Sequence, residues 1–399
     1  MKPINRRQIK SLEAHHNASW RDPIQIISQW QDASETDPML LRYEVRGNWW
    51  EALASCDVTL LVTREYEHLT MALTVSDGEP LISYWSIPHP SGIVVDRDRS
   101  VVYVASTRNP NQIYALRPVT KLIDRHDISL ETLSDHPLIP EYSRFLPGSL
   151  YIHDLALIKG DLFANAVGQN AIIRLPETGG YQRVWWPHCI ETDTGPVFER
   201  NHLQLNSIAA GKDLATSYFS ASTDRLSARR PGHKNFPVDR RGVLFAGDTR
   251  EAVARGLTRP HSARFYDDHI WIDNSGYGEV GIIEDKVFKP LAKLPGWTRG
   301  LCFCKHIAFV GTSRVIPRFS QYAPGLDIGA SICGIHAFDT ISHRILGSVM
   351  WPAGNQIFAI DWISKEHTSG FPCVVGKKRA TARNKNLFYA FSMGEHYDA

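Results

Sequence analysis

The sequence predicts an all-β fold, a six-bladed β-propeller, and three observations support this prediction. From Cys56 onward, short runs rich in Val, Ile, Leu and aromatic residues alternate with clusters of Gly, Asp, Asn and Pro. Helical periodicity is nearly absent from this part of the chain. Units of similar pattern also recur at long intervals, which is the signature of a repeat architecture. Together these patterns indicate antiparallel meanders arranged around one axis.

One unit illustrates the pattern. Residues 91–96 (SGIVVD) form a short apolar run, a turn follows, and Val101–Ser106 and residues 112–116 are two further strand-like runs. Similar units begin at the following residues: His153, Asn206, His261, Arg299 and Gln356. Counted from Ser91, successive starts lie 62, 53, 55, 38 and 57 residues apart. Intervals of this size are typical of propeller blades with insertions on some loops.

The chain also contains the strands needed to close the ring. Val58–Arg64 and residues 69–75 and 81–87 read as three strands with no inner strand before them, whereas 358–362 read as an inner strand with no partners after it. We therefore expect N- and C-terminal strands to share one blade, which leaves no open sheet edge. Residues 387–391 (LFYAF) are a further strand candidate, so seven blades are the alternative.

Residues 1–55 are polar and irregular and are interpreted as an N-terminal extension, with residues 56–399 forming the propeller domain. Short helices are expected near 24–32 and 49–54. The extension has charge but no apolar run behind it, so it does not resemble a secretory signal.

Composition limits the function classes. Hydrophobic residues make up 43% and charged residues 22% of the chain, the balance of a globular protein, and no run approaches the length of a membrane span. A net charge of +2 favours neither nucleic acid nor a membrane surface as partner. Most of the six cysteines lie in apolar runs and are predicted to be core residues, and the C-x-C of Cys302 and Cys304 is not a zinc spacing. A cytoplasmic location is expected.

Polar residues precede the predicted inner strands, and in a propeller these positions gather at one mouth of the central channel. Four of the six repeats place a His there. Imidazoles together with an amide oxygen are suitable ligands for one divalent transition metal (Zn, Mn, Fe or Ni). The candidate metal ligands are His89, His153, His202, Asn206, His261 and Gln356. The alternative is a polar channel whose groups bond only to one another and to water.

The same positions suggest catalytic and binding roles. His153 and His261 are the candidate acid or base, and Arg299 is placed to clamp an anion. The candidate substrate-binding residues are Ser91, Asp154, Asn274, Tyr277 and again Arg299. Asn274 and Tyr277 belong to DNSGYGE (273–279), which reads either as a structural hairpin or as a loop lining the mouth. Residues 225–241, rich in Arg, are predicted to form a surface loop that is either simply solvated or attracts an anion.

Several strings resemble those of an uncharacterised bacterial family of propeller-like proteins, DUF4915. The resemblance covers roughly residues 56–365, and its most specific parts are PHSARFYDDHIWIDNSGYGE (260–279) and LPGWTRGLCF (294–303). It implies the fold and the position of the site but no reaction. In the family the last inner strand begins with an acidic residue, where this chain has Gln356, and this difference favours His-centred chemistry over a hard-cation site. Similarity to SMP-30-type and NHL propellers is architectural only.

Two function classes follow from these residues. The first is an enzyme of hydrolase, lyase or isomerase type that acts on a small polar or anionic molecule at the mouth, with self-association compatible with the sequence. The second is a non-catalytic propeller that binds a ligand or a partner protein.

Overall fold

The computed structural model describes residues 6–19, 36–107, 111–122, 135–376 and 391–392. Within these ranges the chain forms six antiparallel blades of at least four strands, which confirms the predicted six-bladed propeller. In order from the axis outward, blade 1 contains Ala359–Ser364, Val58–Arg64, Leu69–Ser76, Glu79–Ser86 and Cys373–Val374. The predicted closure is confirmed, because the late strand Ala359–Ser364 pairs with the early strand Val58–Arg64.

The other five blades follow one another along the chain. From the inner to the outer edge, blade 2 contains Pro90–Asp96, Val101–Ser106, Asn111–Pro118 and Leu138–Leu146, and blade 3 contains Ile152–Ile158, Asp161–Ala166, Ala171–Arg174 and Gln182–Trp185. Blade 4 contains Leu205–Ala209, Tyr218–Ala221, Gly242–Ala246 and Ala252–Leu257, and blade 5 contains Pro260–Tyr266, His269–Asn274, Glu279–Glu284 and Val287–Lys293. Blade 6 contains Trp297–Cys304, Ile307–Ser313, Gly334–Asp339, Arg344–Met350 and Glu44–Gly47. Two short two-stranded sheets accompany the blades: a hairpin of Glu191–Thr192 with Gly195–Pro196, and a pairing of Lys121–Leu122 with the distant Phe391–Ser392.

The described part of the extension supports the ring. Glu44–Gly47 adds a fifth strand to blade 6 by pairing with Arg344–Met350. The helix Trp49–Cys56, predicted at 49–54, buries Trp49 and Leu53 against the blades. A second helix spans Arg6–Ser19, whereas the helix expected near 24–32 lies outside the described residues.

Short 3-10 helices occupy several connections. They span Pro38–Leu41, Val167–Gln169, His188–Ile190, Ser275–Tyr277, Pro317–Tyr322 and Ile328–Ala330. In the seventh-blade candidate, residues 387–390 lie outside the described ranges, and Phe391 belongs to the two-stranded sheet with Leu122. Of the helices described, none has the length and apolar character to cross a bilayer.

Strand burial follows from the position of each strand in its blade. All seven residues of Val58–Arg64 are buried, because this strand has a neighbour on each edge and an adjacent blade against each face. The outer strand Val287–Lys293 is by contrast exposed or half-buried throughout. Cys302 and Cys304 are buried in one apolar cluster with Cys56, as predicted for core residues that share a strand face.

A ring of hydrogen bonds joins the blades near the starts of their inner strands. At every interface a side chain of one blade bonds to the backbone of the next. The bonds run from Thr63 Oγ1 to Ser91 O (2.5 Å), Ser91 Oγ to Ile152 O (2.7 Å), Asn165 Nδ2 to Leu205 O (2.9 Å), Asn206 Nδ2 to Pro260 O (3.0 Å), Gly300 N to Ser262 Oγ (2.8 Å) and Ser313 Oγ to Ile357 O (2.9 Å). This ring fixes the positions from which the mouth residues project.

Candidate functional site

Two sets of chain segments converge at the mouth: the starts of the inner strands, and the loops between the second and third strands of each blade. Gln356, just before the inner strand of blade 1, meets Glu65 in the loop that follows Val58–Arg64. The longest such loops are residues 222–241 of blade 4 and residues 314–333 of blade 6. Side chains from both segments therefore surround the same space.

In four blades the residue immediately before the inner strand has a left-handed backbone conformation. These residues are His89, Tyr151, Gln204 and Arg259, with φ between 40° and 60° (45°, 50°, 51° and 55°). Non-glycine residues adopt this conformation at a cost, so the surrounding structure must impose it. Two of the four contact each other, because Arg259 Nη1 donates to Gln204 Oε1 at 2.6 Å.

His153 and His261 lie side by side at the centre of the site. Their ring centroids are 5.7 Å apart and the ring planes are inclined by 21°, so the imidazoles are stacked. Phe358 presents its ring at steep angles to both, with centroid distances of 5.4 and 6.4 Å. The blade repeat thus brings together two imidazoles that are more than a hundred residues apart in the sequence.

Arg299 completes this cluster from blade 6. Its guanidinium carbon lies 3.3 Å from the centroid of Phe358, and the residue is only 4% exposed. With the Gln356 amide oriented so that both its ends are bonded, Gln356 accepts from Arg299 Nη1 (3.1 Å) and donates to Glu65 Oε2 (3.2 Å). Within the described residues, Nε and Nη2 of Arg299 have no hydrogen-bond partner. One nitrogen of the Arg299 guanidinium is therefore bonded to the protein, and the other two are available to donate to a ligand.

Burial and charge set the protonation of the cluster. Burial lowers the pKa of His261 well below its ordinary value, and the positive charge of Arg299 lowers it further. His261 is consequently a neutral imidazole at neutral pH, with a lone pair available to accept a proton. Burial lowers the pKa of Arg299 to about 10, although the negative charge of Glu65 opposes this effect. Thr107 Oγ1 donates a hydrogen bond to the same carboxylate.

A second buried guanidinium, that of Arg259, lies beside this cluster. Arg259 is 4% exposed, and its guanidinium carbon lies 4.2 Å from the ring centroid of Tyr322 in the blade 6 loop. Its Nε has no partner among the described residues. Arg259 also contributes to lowering the pKa of both His261 and Arg299.

Several residues predicted for the site have other roles. Ser91 and Asn206 are buried in the inter-blade ring described above, and their side chains donate to backbone carbonyls of the next blade. The polar pattern that suggested substrate and metal contacts is explained by this ring, because a buried carbonyl at each interface needs a donor. Neither the predicted substrate contact of Ser91 nor the metal contact of Asn206 finds support in this geometry.

Asp154 is also engaged elsewhere. It forms a bidentate ion pair with Arg264, with Nη1 and Nη2 donating to its two oxygens at 2.7 and 2.9 Å, and it accepts from Ile208 N. Asn274 caps the turn between blades 4 and 5 by accepting from Thr258 N (2.7 Å). Tyr277 donates to Asp239 Oδ1 at 3.0 Å and so attaches the blade 5 loop to the blade 4 loop. These contacts give the three residues structural roles, and substrate binding by them stays a prediction.

The predicted metal ligands have different neighbours in the structure. The ring of His89 lies 4.3 Å from that of His68, and the backbone N–H of His202 donates to Asn170. Across the described parts of the chain, no three His, Cys, Asp or Glu side chains are arranged to hold a metal ion. Of the six candidates, His153, His261 and Gln356 contact one another or members of the cluster around Arg299 and Phe358. A metal site at the mouth stays a prediction.

Glu65, Arg259 and Phe358 are site residues that the sequence pattern did not single out. Glu65 lies in a loop between the second and third strands of a blade, whereas the prediction considered only inner-strand starts. Arg259 could have been predicted from the sequence, because it lies two residues before His261 at an inner-strand start. A search for every charged residue within two positions of an inner strand would have found it.

Fold and site together define a six-bladed propeller with a buried histidine and arginine cluster at one mouth of its channel. The chain belongs to the DUF4915 family, described as a domain of unknown function, whose family model matches residues 47–370. This confirms the family resemblance inferred from the sequence. No curated protein matches the chain.

Solved structures with similar architecture share little sequence with this chain. A protein of unknown function from Bacteroides caccae is 9% identical, with 77% of this chain and 99% of that chain covered and a TM-score of 0.48. A gluconolactonase from Xanthomonas campestris is 13% identical, with 76% and 87% covered and a TM-score of 0.40. A catalytically inactive virginiamycin B lyase from Staphylococcus aureus, solved with quinupristin, is 10% identical, with 77% and 99% covered and a TM-score of 0.35.

Proposed function

We propose that this protein is an enzyme that binds a small anionic substrate at the mouth of the propeller and transfers protons to or from it. One observation supports this above all: a buried guanidinium with two unpartnered nitrogens lies beside a stacked pair of imidazoles. Buried charges in proteins are normally paired, so such an arginine is suited to a ligand that supplies the missing acceptor.

In this proposal Arg299 fixes the anionic group of the substrate. A carboxylate fits the planar fork of a guanidinium, and Nε and Nη2 form the edge that can donate to both oxygens of one carboxylate. Gln356, which is itself bonded to Glu65, accepts from Nη1 on the opposite side of the guanidinium, so the orientation of Arg299 is set before the substrate arrives. Preorganisation of this kind reduces the entropy cost of binding.

The imidazoles supply the chemistry. Neutral His261 accepts a proton from the substrate, or from a water molecule that attacks it, and becomes an imidazolium. The proton is then returned to the leaving group in an elimination or hydrolysis, or to a neighbouring carbon in an isomerisation. His153, stacked against His261, is the second group in reach for that transfer. Acid–base catalysis of this kind contributes roughly 10²- to 10⁴-fold to rate.

The test has a binding stage and a chemical stage. Purified protein is first screened by thermal shift against small carboxylates, phosphates and sulfate, because a ligand raises the melting temperature by mass action. Each ligand found is then incubated with the protein in D₂O, and exchange or conversion is followed by proton NMR. We expect exchange or turnover that His261→Gln slows by roughly 10²- to 10⁴-fold while ligand binding is retained, and we expect Arg299→Met to remove binding.

Two results would overturn the proposal. One is that none of the small anions stabilises the protein. The other is that ligands bind without exchange or turnover in wild-type protein, which would assign the mouth to a non-catalytic binding propeller.

A further inference from the structure

Arg299 and Arg259 are two buried guanidiniums near His261, and the charge of Arg259 lowers the pKa of Arg299. Arg259 and His261 are separated by one residue on the same strand start, and His261 shares Phe358 with Arg299 as a ring contact. Each arginine is 4% exposed and each has at least one nitrogen without a partner in the described ranges. Burying two cations near each other is costly unless an anion joins them.

Neighbouring charges act differently on the two guanidiniums. Burial lowers the pKa of Arg259 to about 10, and among the charged neighbours Arg230 lowers it further. Glu65 is the carboxylate that acts most strongly on Arg299. Asp154 acts more weakly on Arg299 and is already paired with Arg264. Glu65 thus partly balances Arg299, whereas the charged side chain with the largest effect on Arg259 is another cation, Arg230.

The third of these cations connects the site to the surface. Arg230 belongs to the basic loop, residues 225–241, whose exposed cations are Arg225, Arg229, Arg230, Lys234, Arg240 and Arg241. Phe236 and Val238 anchor this loop in an apolar cluster with Trp297 and Tyr322. Tyr322 in turn lies over Arg259. The basic loop is therefore fixed beside the mouth, where its positive field attracts anions toward the buried arginines.

We infer that the substrate carries two anionic groups, one bound by Arg299 and the other by Arg259. This inference rests on the proposed function and adds a substrate class to it: a small dicarboxylate, or an acid that also carries a phosphate. Both classes present planar or tetrahedral oxygen acceptors that a guanidinium recognises through two N–H groups. Gln204 is the positioning residue for the second group, because its Oε1 accepts from Arg259 Nη1 and leaves Nε directed to a ligand.

The experiment compares ligands that differ by one anionic group. Binding constants are measured by calorimetry for three matched series of three to six carbons: straight-chain monocarboxylates, α,ω-dicarboxylates, and monocarboxylates that carry a terminal phosphate. We expect at least one member of the second or third series to bind at least tenfold more tightly than the monocarboxylate of equal length. A tight ligand from the dicarboxylate series identifies the second anionic group as a carboxylate, and one from the phosphate series identifies it as a phosphate.

Variants assign the preference to Arg259. Arg259→Gln is expected to weaken the dianion roughly 10- to 100-fold, the range for loss of a charged hydrogen-bonding partner, and to leave the monocarboxylate within about twofold. Arg299→Gln is expected to weaken both. Arg225→Gln, which removes an exposed charge of the same loop, is the matched control and is expected to change affinity less than about threefold at 150 mM salt. Melting temperatures establish that each variant is folded.

The outcomes separate this inference from the proposed function. Equal affinity for monoanions and dianions, an equal loss of both in Arg259→Gln, or no binding in any series overturns the two-anion inference. If monocarboxylates are turned over and Arg259→Gln has no effect, only the inference fails. If dianions bind through Arg259 but undergo no exchange or turnover, the two-anion site stands and the catalytic function fails.

Discussion

Arg264 and Arg299 both lie on inner strands, yet they differ in how completely the protein bonds them and in the direction of their pKa shifts. Arg264 donates to both oxygens of Asp154 and to the carbonyls of Ala263 and Ile208, joining blades 3, 4 and 5. Burial lowers the pKa of Arg264, but Asp154 outweighs this effect and the pKa is raised. The pKa of Arg299 is instead lowered to about 10, because burial is only partly offset by Glu65.

The difference indicates which cation serves the fold and which serves a ligand. A fully bonded ion pair between inner strands contributes to assembly of the ring. An arginine that is buried at the mouth with nitrogens left over costs stability, and proteins retain such groups where function needs them. The four predictions below test this division, starting with the largest expected effect.

Replacing His261 with Gln is expected to reduce turnover by roughly 10²- to 10⁴-fold, because the amide cannot accept a proton at neutral pH. The measurement is kcat/KM with the substrate found by the screen. His202→Gln is the matched control, since His202 was also predicted at the mouth, as a metal ligand, and is half-exposed. Turnover within twofold of wild type in His261→Gln would assign the chemistry elsewhere.

The substitution Arg→Met is expected to have opposite effects on stability at the two positions. Arg264→Met leaves the carboxylate of Asp154 buried without its partner and should lower the free energy of unfolding by about 3–5 kcal/mol. Arg299→Met removes a buried charge that is only partly bonded, and should leave stability unchanged or increase it while ligand binding is lost. Urea unfolding measures both variants.

Adding Asp154→Asn to Arg264→Met is the control for this pair of variants. Because it removes the unpaired charge, part of the lost stability should return. A destabilisation of similar size in Arg299→Met and Arg264→Met would contradict the division between structural and ligand-binding arginines.

The pKa of His261 offers a third test. We expect its imidazole signals to titrate well below the ordinary value near 6.5, and to move upward in Arg299→Met, though only in part, because burial is the larger cause. Since folding lowers this pKa, the stabilising contribution of His261 is complete above about pH 6.5 and is lost as the pH falls toward the folded-state pKa. NMR titration of assigned histidines decides this, and a wild-type value at or above 6.5 would contradict it.

The smallest expected effect concerns the inter-blade ring. Ser91→Ala leaves Ile152 O without its donor and should lower the free energy of unfolding by about 1 kcal/mol, with no change in ligand affinity. Ser313→Ala is the corresponding change at another interface. Loss of ligand binding without loss of stability in Ser91→Ala would restore the substrate contact predicted from the sequence.

The fold was largely predictable because most strands of a propeller blade are consecutive in the sequence. Each blade is a meander of consecutive strands, and Val101–Ser106 was predicted with its observed bounds. Closure was also predictable, because no inner strand preceded Val58–Arg64 in the sequence and an inner strand near the C-terminus had no partner strands after it. The conjunction of His153, His261 and Arg299 followed from the repeat period, since equivalent positions of different blades face one axis.

The partners of the other polar residues were not predictable in this way. Ser91, Asp154 and Asn206 occupy the same register as the site residues, and the sequence pattern treats them alike. Their actual partners, such as Arg264 and the carbonyl of Pro260, belong to other blades. Side-chain geometry between blades decides which buried polar groups bond to the protein and which remain for a ligand. A pattern of residues along the sequence does not contain this geometry.

The pairing of Val58–Arg64 with Ala359–Ser364 has a consequence for synthesis of the protein. During translation, an apolar strand edge emerges early and must wait for a partner made nearly three hundred residues later. At roughly 5–20 residues per second this delay is about 15–60 s, far longer than hairpin formation takes. Blades 2 to 6 can form as they leave the ribosome, but the ring stays open until the final strand arrives. We therefore expect nascent chains truncated before residue 359 to aggregate or to bind chaperones through this edge.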